Sequence, residues 1–362
     1  MKNVLGTNLT LTLYGESHGA AVGAVLDGLA PGLPVEEDYI RAQLSLRRPV
    51  GDISTPRQEP DRFVIDSGVY RGKTTGTPLS IRIPNENVRS GDYSAMEHIA
   101  RPGHADYTGY VKYRGCNDPR GGGHFSGRVT AALVAAGAIV RYALEQKGIV
   151  IASHIARLGG IDDRAFADWS ADAAVLNGRP FAVLDEAAGE RMQACIRAAR
   201  AAGDSVGGVL ETAALGVPAG VGEPWFSSVE SVLSAALFAI PAVKGVEFGD
   251  GFALCDRWGS EANDPFRMAG AQVVTVTNHN GGVNGGITNG MPVIFRTAVK
   301  PTPTIGREQE TVDFAAGADT TLQGKGRHDP CIVHRARVVV DNVTALVLAD
   351  LLAGRYGIDW LA

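Results

Sequence analysis

Three histidines sit in glycine-flanked or basic turns, each beside an arginine or a hydroxyl: Ser17-His18, Arg101-Pro102-Gly103-His104 and Arg327-His328-Asp329. Imidazole titrates near neutrality, so it is the side chain best placed to give or take a proton there. A single such histidine is ordinarily structural. Three in turns among cations point to acid/base work on a bound anion. The stretch Arg120-Gly121-Gly122-Gly123-His124-Phe125-Ser126 adds a flexible loop that runs into a helix. Ser126 is a good N-cap, and Val129, Leu133, Val134, Ala136, Ile139, Val140 and Leu144 mark an apolar helical face that ends near Gly148. Unpaired N–H groups at the helix start, with Arg120, His124 and Arg128 alongside, suit a phosphate or a flavin-like anion. The competing reading is a tight loop with solvated cations, since glycine runs are common at plain turns.

Other motifs fail on spacing. Gly68-Val69-Tyr70-Arg71-Gly72-Lys73-Thr74 has one residue too few for a nucleotide-binding P-loop, and Pro78 blocks the helix that should follow. Gly281 to Gly286 lacks the dinucleotide-binding spacing and precedes a strand pattern. His104, Asp106, His328 and Asp329 could serve a metal-assisted phosphohydrolase, but no third cluster completes a coordination set.

The net charge of -5 argues against a nucleic-acid partner, yet cations gather beside glycines in four groups: Arg47, Arg48 and Arg57; Arg101 and His104; Arg120, His124 and Arg128; Arg327, His328, His334, Arg335 and Arg337. If the fold joins several of these, an acidic protein acquires a small anion pocket. Arg47 and Arg48 also suit the C-terminus of a helix over Glu36 to Leu46, where they would be solvated. Four scattered cysteines without a CxxC pair fit reduced thiols in a cytoplasm. Neither a membrane-spanning run nor a signal peptide is expected.

The elements that would position these residues are mixed. Strand patterns occupy Leu9 to Leu13, Phe63 to Val69, Leu79 to Ile83, Ile149 to Leu158 and Val209 to Val217, and Val273 to Thr277 is expected to pair with Val293 to Val299. Helical patterns occupy the segment after Ser126, Asp185 to Ala202, Ser227 to Ala239, and a last helix opened by Asp329 as N-cap and Pro330 as N1. Pro84 to Arg120 reads as a long polar loop, and Asp162 to Asn177 carries little signal. The class is α+β in a single large domain, 1–362.

Gly15-Glu16-Ser17-His18-Gly19, Arg47-Arg48-Pro49, Thr55-Pro56-Arg57, Gly72 to Pro78, Arg101 to Asp106, Arg120 to Gly123, Ala242 to Glu247, Asn278-His279, Lys300-Pro301-Thr302 and Gly326 to Pro330 together resemble the chorismate synthase family, in order and from end to end. The resemblance is weakest over Asp162 to Pro180. It implies a β-α-β sandwich and a homotetramer that eliminates phosphate and a proton from 5-enolpyruvylshikimate 3-phosphate, with reduced FMN as cofactor although no net redox change occurs. Two sources of reduced flavin fit the family: NADPH used by the chain itself, or an external flavin reductase.

Carried over by motif, His18 resembles the histidine that protonates the leaving phosphate, His104 the one that keeps the reduced flavin protonated, and Asp329 the carboxylate that assists at flavin N5. Ser17, Arg47, Arg48, Arg101, Arg128 and Arg327 would meet the phosphate and carboxylates of a small anionic substrate. Flavin contacts would come from His124, Phe125, Ser126, Ala242, Gly285, Lys300, Pro301, Thr302, Pro303, Thr304 and Arg327. Two departures stand out. Many relatives carry Arg-Ser-Ser where this chain has His124-Phe125-Ser126, and a family arginine is replaced near Ile53, with Arg48 or Arg57 as substitutes.

Overall fold

Two helices are apolar on nearly every side, and such helices must lie between other layers rather than on a surface. In a computed structural model, which describes residues 3–55, 60–86, 98–324 and 329–362, Thr130–Gln146 is buried without a break from Ala131 to Arg141 and Val333–Tyr356 from Ala336 to Asp350. The two pack against each other as the middle of the molecule. The stretch Gly127–Gln146 is long and apolar enough to cross a membrane, contrary to the expectation of no such run, but its side chains are buried inside the protein and it serves as a core helix.

Thr130–Gln146 also covers one antiparallel sheet, in the order Val4–Leu5, Thr10–Gly15, Ala21–Asp27, Leu79–Pro84, Val64–Ser67. Leu79, Ile81 and Ile83 turn inward while Ser80 and Arg82 are half-exposed, the alternation of a sheet with one buried face. Val333–Tyr356 covers a second antiparallel sheet, in the order Val243–Phe248, Val293–Val299, Gly208–Leu215, Val150–Leu158, Ile161–Asp162. The expected β-α-β sandwich results. Where the middle helices approach most closely there is no room for a side chain: a Cβ on Gly137 would stand 2.7 Å from the Asn342 Cβ and 2.9 Å from its carbonyl oxygen. Gly137→Ala is therefore expected to lower stability by about 1–3 kcal/mol, measured as a fall in denaturation midpoint, despite alanine's better helix propensity.

Four expectations need correction. Val293–Val299 pairs with Gly208–Leu215 and Val243–Phe248, whereas Gln272–Thr275 closes a local hairpin with Phe266–Ala269. The long loop before Arg120 contains a helix, Asp106–Tyr113. The low-signal stretch contains another, Trp169–Leu176, whose N-cap Asp168 accepts the N–H groups of Ser170 and Ala171; at eight residues it is too short to show a period. Asp329 does not cap the last helix, which runs over Val333–Tyr356. The Pro330 carbonyl accepts the Val206 N–H at 2.9 Å and holds this approach outside the helix.

Candidate active site

Gly121, Gly122 and Gly123 all have positive φ (60°, 83° and 52°), a conformation that L side chains rarely adopt. Two histidines from distant parts of the chain border that turn. A Cβ on Gly121 would lie 2.2 Å from His18 Nδ1 and 3.0 Å from Ser17 Oγ, and one on Gly122 would lie 3.4 Å from His104 Nε2. Glycine is thus required twice over, by backbone conformation and by the rings beside it. The Ser17 N–H donates to the Gly123 carbonyl at 3.1 Å, which stitches the end of the strand Thr10–Gly15 to the turn. As expected, Ser126 caps the helical segment that follows, accepting the Arg128 N–H at 3.3 Å.

His104 is held from three directions. Asp106 Oδ1 lies 2.8 Å from His104 Nδ1, and Arg101 donates to both carboxylate oxygens of Asp106 at 2.7 Å. Lys300 Nζ donates to the Gly103 carbonyl, and a Cβ on Gly103 would meet Pro303 Cβ at 3.5 Å. Thr311 Oγ1 donates to the Ala100 carbonyl, so the hairpin of Glu308–Asp313 and Ala318–Gln323 carries the base of the turn. Burial pushes the Asp106 carboxyl up, but the bonds from Arg101 and His104 outweigh it and hold the group well below the usual carboxylate range.

A second network joins Asp329 to the His18 turn. Asp329 accepts the Thr55 N–H at 2.8 Å and Arg335 Nη1 at 2.6 Å, and Arg335 Nε donates to the Arg47 carbonyl at 2.7 Å. The Arg47 and Arg128 guanidiniums share the buried carboxylate of Asp61, Arg47 at 3.1 Å. Arg128 Nε then donates to Asn85 Oδ1 at 2.9 Å, and Asn85 Nδ2 donates to the carbonyls of Glu16 and Gly19, which flank Ser17 and His18. Two arginines thus share one carboxylate in a network that reaches the backbone on either side of Ser17 and His18. The view of Arg47 as a solvated helix end is thereby overturned: its side chain is buried. Asp61 and Asn85 had no signal in the sequence as members of this site, whereas Arg335 was already singled out in the fourth basic group.

The remaining expected residues are distributed as follows. His124 Nδ1 lies 2.7 Å from the Gly15 carbonyl, and Phe125 packs edge-on to Tyr113. Ala242 has φ 75° and its carbonyl accepts the Lys300 N–H at 3.0 Å; the Thr302 carbonyl accepts Ser205 Oγ at 2.7 Å. Lys300 to Thr304 thus runs from Ala242 to the Gly103 turn. Gly285 belongs to a separate hairpin, whose neighbour Gly286 packs on Ser228. Arg48 donates to the Pro60 carbonyl and Arg120 pairs with Asp118. Arg57, Arg327 and His328 lie outside the described residues.

Two members of the fourth basic group belong elsewhere. Arg337 pairs with Asp341 at 3.1 Å inside the helix layer, and Arg141 approaches the same carboxylate at 3.3 Å. His334 is buried, with Nε2 2.7 Å from Ser54 Oγ; burial first, then the charge of Arg335, lowers its pKa from 6.5 to about 3. It is a neutral packing residue. The folded value is depressed, so its contribution is present above pH 6.5 and is lost as acid protonates the unfolded chain but not the folded one. Between about pH 6.5 and 3 stability should fall by up to ~1.4 kcal/mol per pH unit from this group. Denaturation midpoints of His334→Gln, measured across that range, should show the slope reduced.

Comparison with known proteins gives one answer. The chorismate synthase family pattern matches residues 9–353. The chain is 46% identical to the chorismate synthase of Aeropyrum pernix, over 99% of this chain and 96% of that one. It is 47% identical to that of Opitutus terrae, over 97% and 96%. A crystal structure of a chorismate synthase superposes with a TM-score of 0.75 at 29% identity, covering 97% of this chain and 94% of the other.

Proposed function

Because the chain belongs to the chorismate synthase family, we propose that the Gly121–Ser126 turn forms one wall of a reduced-FMN site, with His18, His104 and Asp329 as the proton-handling groups around it. The chain is a phosphate lyase that converts 5-enolpyruvylshikimate 3-phosphate to chorismate, the last step of the shikimate pathway. Reaction breaks a C–O bond to phosphate and a C–H bond and forms one C=C. Reduced FMN, when bound, supplies the electron-rich ring that this elimination needs in the absence of net redox change.

The single observation that carries the reading is that His18 and His104 border one glycine turn. The residues fit the cofactor's chemistry there: the absence of side chains at Gly121 and Gly122 lets the His18 and His104 rings stand against the turn, so that two imidazoles border one wall of the proposed site. His18, whose turn is tied through Asn85 to the Arg47–Asp61–Arg128 cluster, would deliver a proton to the leaving phosphate oxygen. His104 would hold the proton of the reduced ring through Nε2. Asp329, paired with Arg335, would act where the substrate proton departs. Ser17, Arg47, Arg48, Arg101, Arg128 and Arg327 would bind the substrate's three anionic groups, and His124, Phe125, Ala242, Gly285 and Lys300 to Thr304 would line the cofactor. The metal-assisted alternative is disfavoured because Asp106 and Asp329 face arginines rather than a shared cation position.

The further proposals are a single domain over 1–362, a cytoplasmic location, and a homotetramer. Four free cysteines support the second. Trp225, Phe226, Phe252 and Trp258, 79–93% exposed, support the third, since aromatic surface of this extent marks subunit contacts; light scattering should give four times 37.9 kDa. An anaerobic assay with the enolpyruvyl substrate and photoreduced FMN tests the activity. Chorismate should form only with reduced flavin and regardless of chelator, whereas flavin-independent phosphate release abolished by chelator would overturn the reading. NADPH in place of photoreduction then decides between self-reduction and an external flavin reductase.

A further inference from the structure

We infer that Asp106 is a positioning residue for this reaction: braced by Arg101, it fixes His104 in the tautomer that carries hydrogen on Nδ1, so that Nε2 is the atom presented at the Gly122 turn. The inference rests on the functional reading above but is argued from local geometry.

His104 Nδ1 has two polar neighbours that make opposite demands. Asp106 Oδ1 at 2.8 Å accepts only, whereas Arg101 Nη2 at 3.0 Å donates only. The shorter contact is to the carboxylate, and Arg101 Nη2 already has a better acceptor in Asp106 Oδ1 at 2.7 Å. A bare Nδ1 would set its lone pair against an ionised oxygen in a half-buried site, where repulsion is weakly screened. A protonated Nδ1 donates to that oxygen and leaves the arginine its own bond. Carboxylate charge is secured by Arg101, which donates Nε and its backbone N–H to Oδ2 at 2.7 and 3.0 Å. Asp106 also lies in the first turn of Asp106–Tyr113, where the helix dipole favours a negative group.

The five-residue spacing of Arg101 and Asp106 lets one acid brace two partners within the same turn. It also changes the part given to Arg101. Nε and Nη2 of its guanidinium face Asp106, so its main work is to hold the carboxylate that orients the histidine, rather than to reach for substrate. The arrangement is the general one in which a base is oriented by an acceptor on its other ring nitrogen.

Asp106→Asn keeps the shape and removes the charge. Turnover should fall by about 10²-fold or more while KM for the enolpyruvyl substrate changes by less than about threefold, the split expected when an orienting carboxylate is lost. Nitrogen-15 spectra of the histidine-labelled chain without flavin give an independent readout, with His104→Ala providing the assignment. The wild-type ring should show Nδ1 protonated and Nε2 bare at a pH where it is neutral, and the variant a mixture. A wild-type ring protonated on Nε2 overturns the inference, even if no variant folds, and so does an Asp106→Asn enzyme with unchanged turnover. Since the tautomer is read without cofactor or reaction, an inactive wild type would defeat the functional reading alone.

Discussion

Replacing His104 with alanine should lower kcat by about 10³-fold and leave the dissociation constant of the enolpyruvyl substrate within about threefold of wild type. The magnitude is that of a positioned acid/base group removed from a transition state. The split follows from position. His104 borders Gly122, whereas the cationic cluster proposed for the substrate is anchored by Asp61 and reaches the site from the strand side through Asn85. Removing the imidazole also frees Asp106 from one of its two partners, but Arg101 remains bonded to both of its oxygens, so the turn should keep its shape. Anaerobic single-turnover kinetics, with substrate affinity measured separately by titration, distinguish the two quantities. Unchanged turnover would remove His104 from the mechanism; equal losses in both would mean that the ring shapes the pocket instead.

Local signals in the sequence located the rigid frame well. Ser126 followed by an apolar helical period placed the first middle helix within a few residues, and the alternation of Leu79, Ile81 and Ile83 placed a strand. These patterns depend on neighbours three or four residues away, or two in a strand, so a linear reading captures them. The site was legible only where a motif carried it. His18, His104 and Asp329 were named from turns, yet nothing local tells that Gly121 rather than another glycine lies against His18. The partners were illegible for the same reason. Asp61 stands in an irregular segment with no period, and its bond to Arg128 spans 67 residues. Asp329 illustrates the opposite error: an Asp-Pro pair reads as a helix start, but an arginine and a distant backbone N–H had a stronger claim on the carboxylate. Strand pairing failed similarly, because proximity favoured joining Val273 to Thr277 with Val293 to Val299, while Gly208–Leu215 fits that strand over seven residue pairs, from Gly208↔Val299 to Ala214↔Val293.

Asp61 supports the second large effect. Its backbone is left-handed, with φ 49°, and asparagine tolerates that region at least as well as aspartate, so Asp61→Asn removes the charge with little change in shape or strain. What remains is a buried pair of guanidiniums, with Arg47 also held by Thr130 Oγ1 and the Gly127 carbonyl, and Arg128 by Asn85 and the Pro84 carbonyl. Breaking a buried ion pair from one side typically costs about 3–5 kcal/mol, and here one carboxylate serves two arginines, so the variant's denaturation midpoint should fall by an amount near the upper end of that range. Anion binding should reverse part of the loss. A phosphate-bearing substrate brings negative charge to the two arginines that have lost this carboxylate, and a ligand that binds only the folded state raises stability with its concentration. The thermal midpoint of Asp61→Asn should therefore rise more on adding the enolpyruvyl phosphate than that of wild type, while a neutral cyclohexene diol should raise neither. An equal rise in both proteins would mean that the Arg47–Asp61–Arg128 cluster holds the fold without facing the substrate, and the anion site would have to be sought among the arginines that remain.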